Sequence, residues 1–190
     1  GLARSLPNPE TLVLAALLHD IGKGQGGNHS IIGRHQALGV AQRLGLRSSE
    51  REDLIFLVEH HLLIFKVSQR RDLDDAQELD HCAELVGTPR RLQMLLVLSY
   101  VDALTTGPAA WNDWKWRLLL RLYEGVLRRF EAKQRQISTD EARIHIQKEL
   151  QGQIKDEEEK TALDYLIASC PRRHWTMHEP RVLRLQLEAV

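Results

Sequence analysis

The residues best able to do chemistry are a His-Asp pair at His19 and Asp20, His29, a second pair at His60 and His61, and Asp102. All are nitrogen or oxygen donors with no thiolate among them. Such a set suits a catalytic divalent ion (Mn, Mg, Fe, Co or Zn) with open coordination positions better than a closed structural zinc. The default chemistry is hydrolysis: a carboxylate such as Asp20 can bridge two ions about 3.5–4 Å apart, a pair that activates water while neutralising a phosphate. Lys23, three residues on in a glycine-rich loop, is placed to reach a phosphoryl oxygen. Asp20 and Lys23 are therefore the candidate catalytic residues. His19, Asp20, His29, His60, His61 and Asp102 are the candidate ligands for one or two ions.

These donors need scaffolding, and the chain supplies it as helices. Leu12 to Leu18 is an unbroken apolar run, expected to form a short, wholly buried helix that delivers His19 and Asp20 out of the interior. Asn8-Pro9-Glu10 reads as its start, with Asn8 as the cap, and Gly22, Gly24, Gly26 and Gly27 end it. A second helix is expected from about His29 to Leu44. A third is expected from Ser49, where Ser49 and Glu52 make a capping box, and it carries His60 and His61. Adjacent positions lie about 100° apart on a helix, so both histidines can face one site, or one can face solvent. Asp74 to Val86 is amphipathic. Thr88-Pro89 caps an apolar helix through Leu95 and Val101 that places Asp102 in its last turns. A bare carboxylate there would be costly, so a metal, an arginine or a water must meet it. His35, about 240° round the helix from His29, should point elsewhere. His81, His145, His174 and His178 have no companion at ligand spacing.

Asn112 caps a long helix through Leu118, Leu122 and Phe130. Past Ile137 the character turns polar: Ser138-Thr139-Asp140-Glu141 is expected to open a new helix and Asp156-Glu157-Glu158-Glu159 another. A stop stands at Pro171, His174 and His178 fall in a loop, and a last helix is expected from Pro180. No alternating β-branched run interrupts this, so the fold class is all-α, a helical bundle at residues 1–136 with a helical appendage at 137–190.

Bulk composition excludes several functions. Lys plus Arg and Asp plus Glu stand at 26 each, which provides no global field for nucleic acid or an anionic membrane. Cys82 and Cys170 lack metal or redox spacing and fit reduced thiols. No stretch approaches the roughly 20 apolar residues of a membrane span, so a soluble cytoplasmic protein is expected. The chain starts with Gly and ends in a helical pattern, which points to a piece of a longer protein.

Six blocks carry a resemblance: Leu18-His-Asp-Ile-Gly-Lys-Gly24, Gly26-Gly-Asn-His-Ser30, His60-His-Leu-Leu63, Gln69-Arg-Arg-Asp72, Thr106-Gly-Pro108 and Trp111-Asn-Asp-Trp-Lys115. With them the chain resembles the HD superfamily of metal-dependent phosphohydrolases. More narrowly, it is similar to the HD domain of the bifunctional uridylyltransferases and uridylyl-removing enzymes that modify PII nitrogen-regulatory proteins. The resemblance is dense from Leu12 to Tyr123 and thins beyond it. It implies that His19, Asp20 and Asp102 hold one metal and that His29, His60 and His61 hold a second with Asp20 shared. It also implies hydrolysis of the phosphodiester joining UMP to a tyrosine of PII. Lys23, Arg70, Arg71 and Lys115 become candidate phosphate contacts. Nucleotidyltransferase and ACT domains would flank this region in a full-length chain, with the appendage as connector. The family's first ligand is an upstream histidine, and none precedes His19 here, so an impaired first site and little activity are expected. The alternatives are a phosphohydrolase for a small nucleotide, which shares every ligand, and a catalytically silent helical module.

Overall fold

The structure, a computed structural model, describes residues 6, 8–70, 72–73, 75–107, 112–152, 154, 157–171, 174–177 and 182–183, with the backbone alone at 70 and 176. The regular structure of the described residues is all helical, with no strand among them. In chain order the helices are α1 (Pro9–Leu18), α2 (His29–Arg43), α3 (Ser48–His60), α4 (Leu63–Arg70), α5 (Ala76–Val86), α6 (Pro89–Thr106), α7 (Asp113–Gln151), α8 (Glu157–Ser169) and α9 (His174–Met177). None of them is long and apolar enough to cross a membrane. By its internal contacts the chain divides into two compact units, Gly1–Phe130 and Glu131–Val190, a division that falls inside α7.

In the first unit α3 is the hub. It packs against α2, α1 and α6, and α6 also receives α1, α4 and α5. The inward stripe of α3 is Leu54, Leu57 and Val58, all fully buried, and it meets Leu92, Leu95 and Leu98 of α6 in one core. Each such side chain contributes about 1.5–3 kcal/mol by leaving water. A polar clamp holds α3 to α6 beside this stripe. The buried Asp53 carboxylate accepts from Arg91 Nε at 2.8 Å and lies 2.9 Å from Arg90 Nη2, while the Arg91 guanidinium stacks over the Phe56 ring. The second unit has its own smaller core around Leu150, Leu163, Leu166 and Trp175.

Several local expectations change. Helix α1 is not wholly buried: it sinks Thr11, Leu12 and Ala15 but leaves Val13 60% and Leu17 75% exposed, because α3 and α6 cover only one of its faces. Asn8 does not cap through its side chain. It adopts a left-handed backbone, φ 58°, and Thr11 N–H instead donates to its carbonyl. The third helix starts at Ser48, not Ser49, because Glu50 reaches back to accept from Arg47 N–H at 3.1 Å, and Glu52 pairs with the Ser48 hydroxyl. Helix α7 runs through Ser138-Thr139 without a break. The Thr139 hydroxyl donates back to the Arg135 carbonyl at 2.8 Å, satisfying itself inside a continuing helix rather than capping a new one. His174 opens the short α9 rather than lying in a loop, and Pro180 and His178 lie outside the described residues. Asn112 does cap α7, accepting from Lys115 N–H at 2.8 Å, and Thr88 caps α6.

Cys82 sits in the first core at 2% exposure, and burial, followed by the nearby Glu78 charge, pushes its thiol up to about 11. The thiolate is the nucleophile, so Cys82 should resist iodoacetamide at pH 8 in the native state and react on unfolding, as mass spectrometry of alkylated peptides would show. The linkage has a definite sign. A thiol raised in the folded state gives a contribution intact below the ordinary value of 9.0 and lost as pH rises through about 11. Denaturation midpoints should therefore fall more steeply over that window in the natural chain than in Cys82→Ala.

Candidate metal centre

Four helices aim donors at one place. Helix α1 carries its inward stripe Leu12–Ala15 on to His19, the residue that ends it. The His19 Nδ1 lies 2.8 Å from the Ala16 carbonyl. A carbonyl only accepts, so Nδ1 holds the proton and the Nε2 lone pair is turned outward. That Nε2 stands 3.2 Å from Asp20 Oδ2 and 3.4 Å from Asp102 Oδ1. His61 repeats the device at the end of α3. Its Nδ1 donates to the Val58 carbonyl at 2.8 Å, and its Nε2 faces Asp20 Oδ1 at 3.8 Å. His29, the first residue of α2, brings its Nε2 to 3.9 Å from the same oxygen. The three imidazoles are neighbours, with His61 5.3 Å from His19 and 5.4 Å from His29 between ring centres.

Two donor groups result, each with its ligand atoms within 4.8 Å of one another: His19, Asp20 and Asp102, and Asp20, His29 and His61. Asp20 belongs to both. The residues fit divalent ions on two grounds. The set mixes imidazole nitrogen with carboxylate oxygen, the chemistry of Zn, Fe and Mn sites. In addition, His29 Nε2 is buried with no hydrogen-bond partner, a state that costs free energy unless an acceptor or an ion meets it.

Charge around the site is arranged to keep Asp20 ionised. Burial, the largest influence, would raise its carboxyl, but the Lys23 ammonium hydrogen-bonded to Oδ2 and the charges of His19, Lys23 and His61 together bring it below the ordinary carboxylate range. Lys23 is raised in turn, first by that hydrogen bond. Burial lowers His61, and the opposing Val58 and Asp20 interactions do not reverse it. A lowered imidazole is neutral near pH 7, the form that binds metals.

The loop between α1 and α2 permits the approach. A Cβ on Gly22 would stand 2.2 Å from the His29 carbonyl oxygen and 2.8 Å from the Gly33 nitrogen, so only glycine lets Asp20 and His29 come together here.

His60 is not brought into either group. On α3 it continues the stripe Asp53–Phe56, its ring 4.8 Å from Phe56 and its Nε2 3.8 Å from Glu59 Oε2, whereas His61 continues the core stripe Leu54–Leu57–Val58. The 100° between successive residues sends one histidine to each side. Burial, against the opposing Glu59 charge, also lowers the His60 imidazole. Of the phosphate candidates, Lys23 lines the cavity beside Asp20, 63% exposed. Lys115 lies in the first turn of α7 and does not line it. Arg71 is outside the described residues, and Arg70 is described only as the last residue of α4.

The cavity, of about 370 Å³, also takes in residues that sequence reasoning missed. Ser99, Ala103 and Thr106 share a face of α6 with Asp102, a pattern of three- and four-residue steps that could have been found from Asp102 alone. Ser99 Oγ donates to the His61 carbonyl at 3.3 Å, and Thr106 Oγ1 donates to the Asp102 carbonyl at 2.8 Å. Leu62 and Phe65 follow His61 into α4, a helix that was not foreseen.

Metal content separates these placements. After Mn loading and dialysis, elemental analysis should find the ion in the natural chain and in His60→Ala at equal stoichiometry, and little or none in Asp20→Ala. Gly22→Ala should both lose metal and cost about 1–3 kcal/mol or more in denaturant unfolding, because backbone must move.

The comparisons with known proteins bear on this geometry. The family model described as the HD domain matches residues 1–96. Over 177 residues, 91% of the chain, it is 38% identical to a bifunctional uridylyltransferase/uridylyl-removing enzyme of Rhodospirillum rubrum, of which it covers 18%. A protein of the same name from Nitrosococcus oceani is 34% identical over 97% of the chain and 21% of its own length. A third, from Streptomyces coelicolor, is 44% identical over 66% of the chain and 15% of its own length. The chain thus spans about a fifth or less of these relatives. No solved structure matches it. With the family model matching just over half of its length, the chain belongs to the HD-domain family.

Proposed function

We propose that this chain is a metal-dependent phosphodiesterase that removes UMP from a uridylylated tyrosine, with a uridylylated PII protein as substrate. The observation that carries it is the sharing of Asp20 by two donor groups at the wall of one cavity. The names of its relatives supply the uridylyl-removing activity. In this reading His19, Asp20 and Asp102 hold one divalent cation, and Asp20, His29 and His61 hold a second. When bound, the cations supply Lewis acidity to a phosphoryl oxygen and make water a better nucleophile.

The chain's own residues do the rest. The Ala16 and Val58 carbonyls fix the tautomer and direction of His19 and His61, so no reorientation is needed when substrate arrives. Lys23, tethered to Asp20 Oδ2 but mostly exposed, can turn its ammonium to a non-bridging phosphoryl oxygen as charge builds there. Water supplies the oxygen that joins phosphorus, the bond from phosphorus to the phenolic oxygen breaks, and the phenolate leaves and takes a proton. Free tyrosine and UMP result. Arg70, Arg71 and Lys115 stand as candidates for further substrate contacts, Lys115 from outside the cavity lining. Nucleotidyltransferase and ACT domains are proposed elsewhere in the complete protein.

Release of UMP from uridylylated PII, assayed with Mn against a panel of free nucleotides, tests the reading. The chain should act on the modified protein and far less on the free nucleotides. Asp20→Ala should reduce release at least about 100-fold, and Lys23→Ala about 10- to 100-fold with metal content unchanged. Activity confined to free nucleotides, or undiminished in Asp20→Ala, would contradict it.

A further inference from the structure

The lining of the cavity beside Asp20 is chemically mixed. It includes the donors Asp20, His29, His61 and Asp102 together with Lys23. It also includes Leu62, Phe65 and Ala103, which carry no charge. Each of these apolar residues lies close along the chain to a donor. Leu62 and Phe65 follow His61 by one and four positions, and Ala103 follows Asp102. The backbone that aims the donors therefore also fixes these apolar residues, and a group resting on them lies near a phosphoryl group held by the donors.

Phe65 is the telling residue. Its helix neighbours Leu63, Ile64 and Val67 pack into the hydrophobic core, whereas among the described residues Phe65 is not part of that core and stays half-buried at the cavity. A large ring left out of the core and lining a cavity is available to a ligand, and flat rings gain most from packing against it. At about 370 Å³ the space lies within the range of ligand pockets, roughly 300–1,000 Å³, and has room for a ring with its phosphate.

We propose that Phe65, with Leu62 and Ala103, forms a specificity shelf for a flat ring attached to the phosphoryl group. This rests on the phosphodiesterase reading above and deepens it. The ring has two possible sources in a nucleotidyl-tyrosine, the nucleobase and the phenol, and both share this chemistry.

Calorimetric titration of the Mn-loaded chain with UMP, phenyl phosphate and methyl phosphate tests the shelf without relying on turnover. A ring-bearing probe should bind roughly 3- to 10-fold more tightly than methyl phosphate. Phe65→Ala should abolish that margin while leaving methyl phosphate unchanged, and Phe65→Tyr should retain it. A margin for UMP alone assigns the shelf to the nucleobase, and a margin for phenyl phosphate alone assigns it to the phenol. Equal affinities for all three probes, or a margin that survives in Phe65→Ala, would overturn the shelf and leave the phosphate site standing. Failure of all three to bind would overturn the phosphodiesterase reading and the shelf with it.

Discussion

The Asp20 carboxylate is the constraint on which the rest of the first unit depends. It stands at the end of an apolar helix, where an ionised oxygen must be met, and four elements converge to meet it: His19 beside it, Lys23 from the loop, His29 from α2 and His61 from α3. Asp102 of α6 approaches through His19. Like charges of two carboxylates are tolerated at this range when cations lie between them. The Ala16 and Val58 carbonyls anchor the His19 and His61 rings, so their Nε2 lone pairs are directed at the carboxylates. That is the economy of an ion-binding site.

The scaffold explains why the convergence is reproducible. The Asp53–Arg90–Arg91 clamp and the stripe of leucines register α3 against α6, and that register sets His61 relative to Asp102. Gly22 lets the loop close on the first turn of α2, which sets His29 relative to Asp20. Neither device touches the proposed chemistry, yet each fixes a distance within it. Precision of this kind comes from packed helices more readily than from loops.

Much of this was legible in the amino-acid order, and the failures have physical causes. Helical periodicity, the Thr88 and Asn112 caps and the His-Asp pair all act within one or two turns, so they can be read locally. The side of α3 that each of His60 and His61 occupies is a tertiary fact. It depends on which stripe meets α6, and both Leu54–Leu57–Val58 and Asp53–Phe56 are buried. The outer face of α1 was misjudged because an apolar run shows how much it prefers burial, not whether a partner is present to cover it. Ser138-Thr139 misled because a hydroxyl can satisfy itself on the preceding turn. Leu62 and Phe65 were overlooked because an apolar residue next to a donor looks the same whether it fills a core or lines a cavity.

The HD-domain match spans His19, Asp20, His29 and His61 and ends before Asp102, while specificity for one substrate over another rests with the walls around the donors. The central claim is that Asp20 joins two ion sites. Anomalous scattering from Mn-soaked crystals of the chain tests it most directly. The account predicts two peaks, one bounded by His19, Asp20 and Asp102 and the other by Asp20, His29 and His61, with Asp20 oxygens reaching both. Density at a site built on His60, or no peak adjoining Asp20, would contradict it.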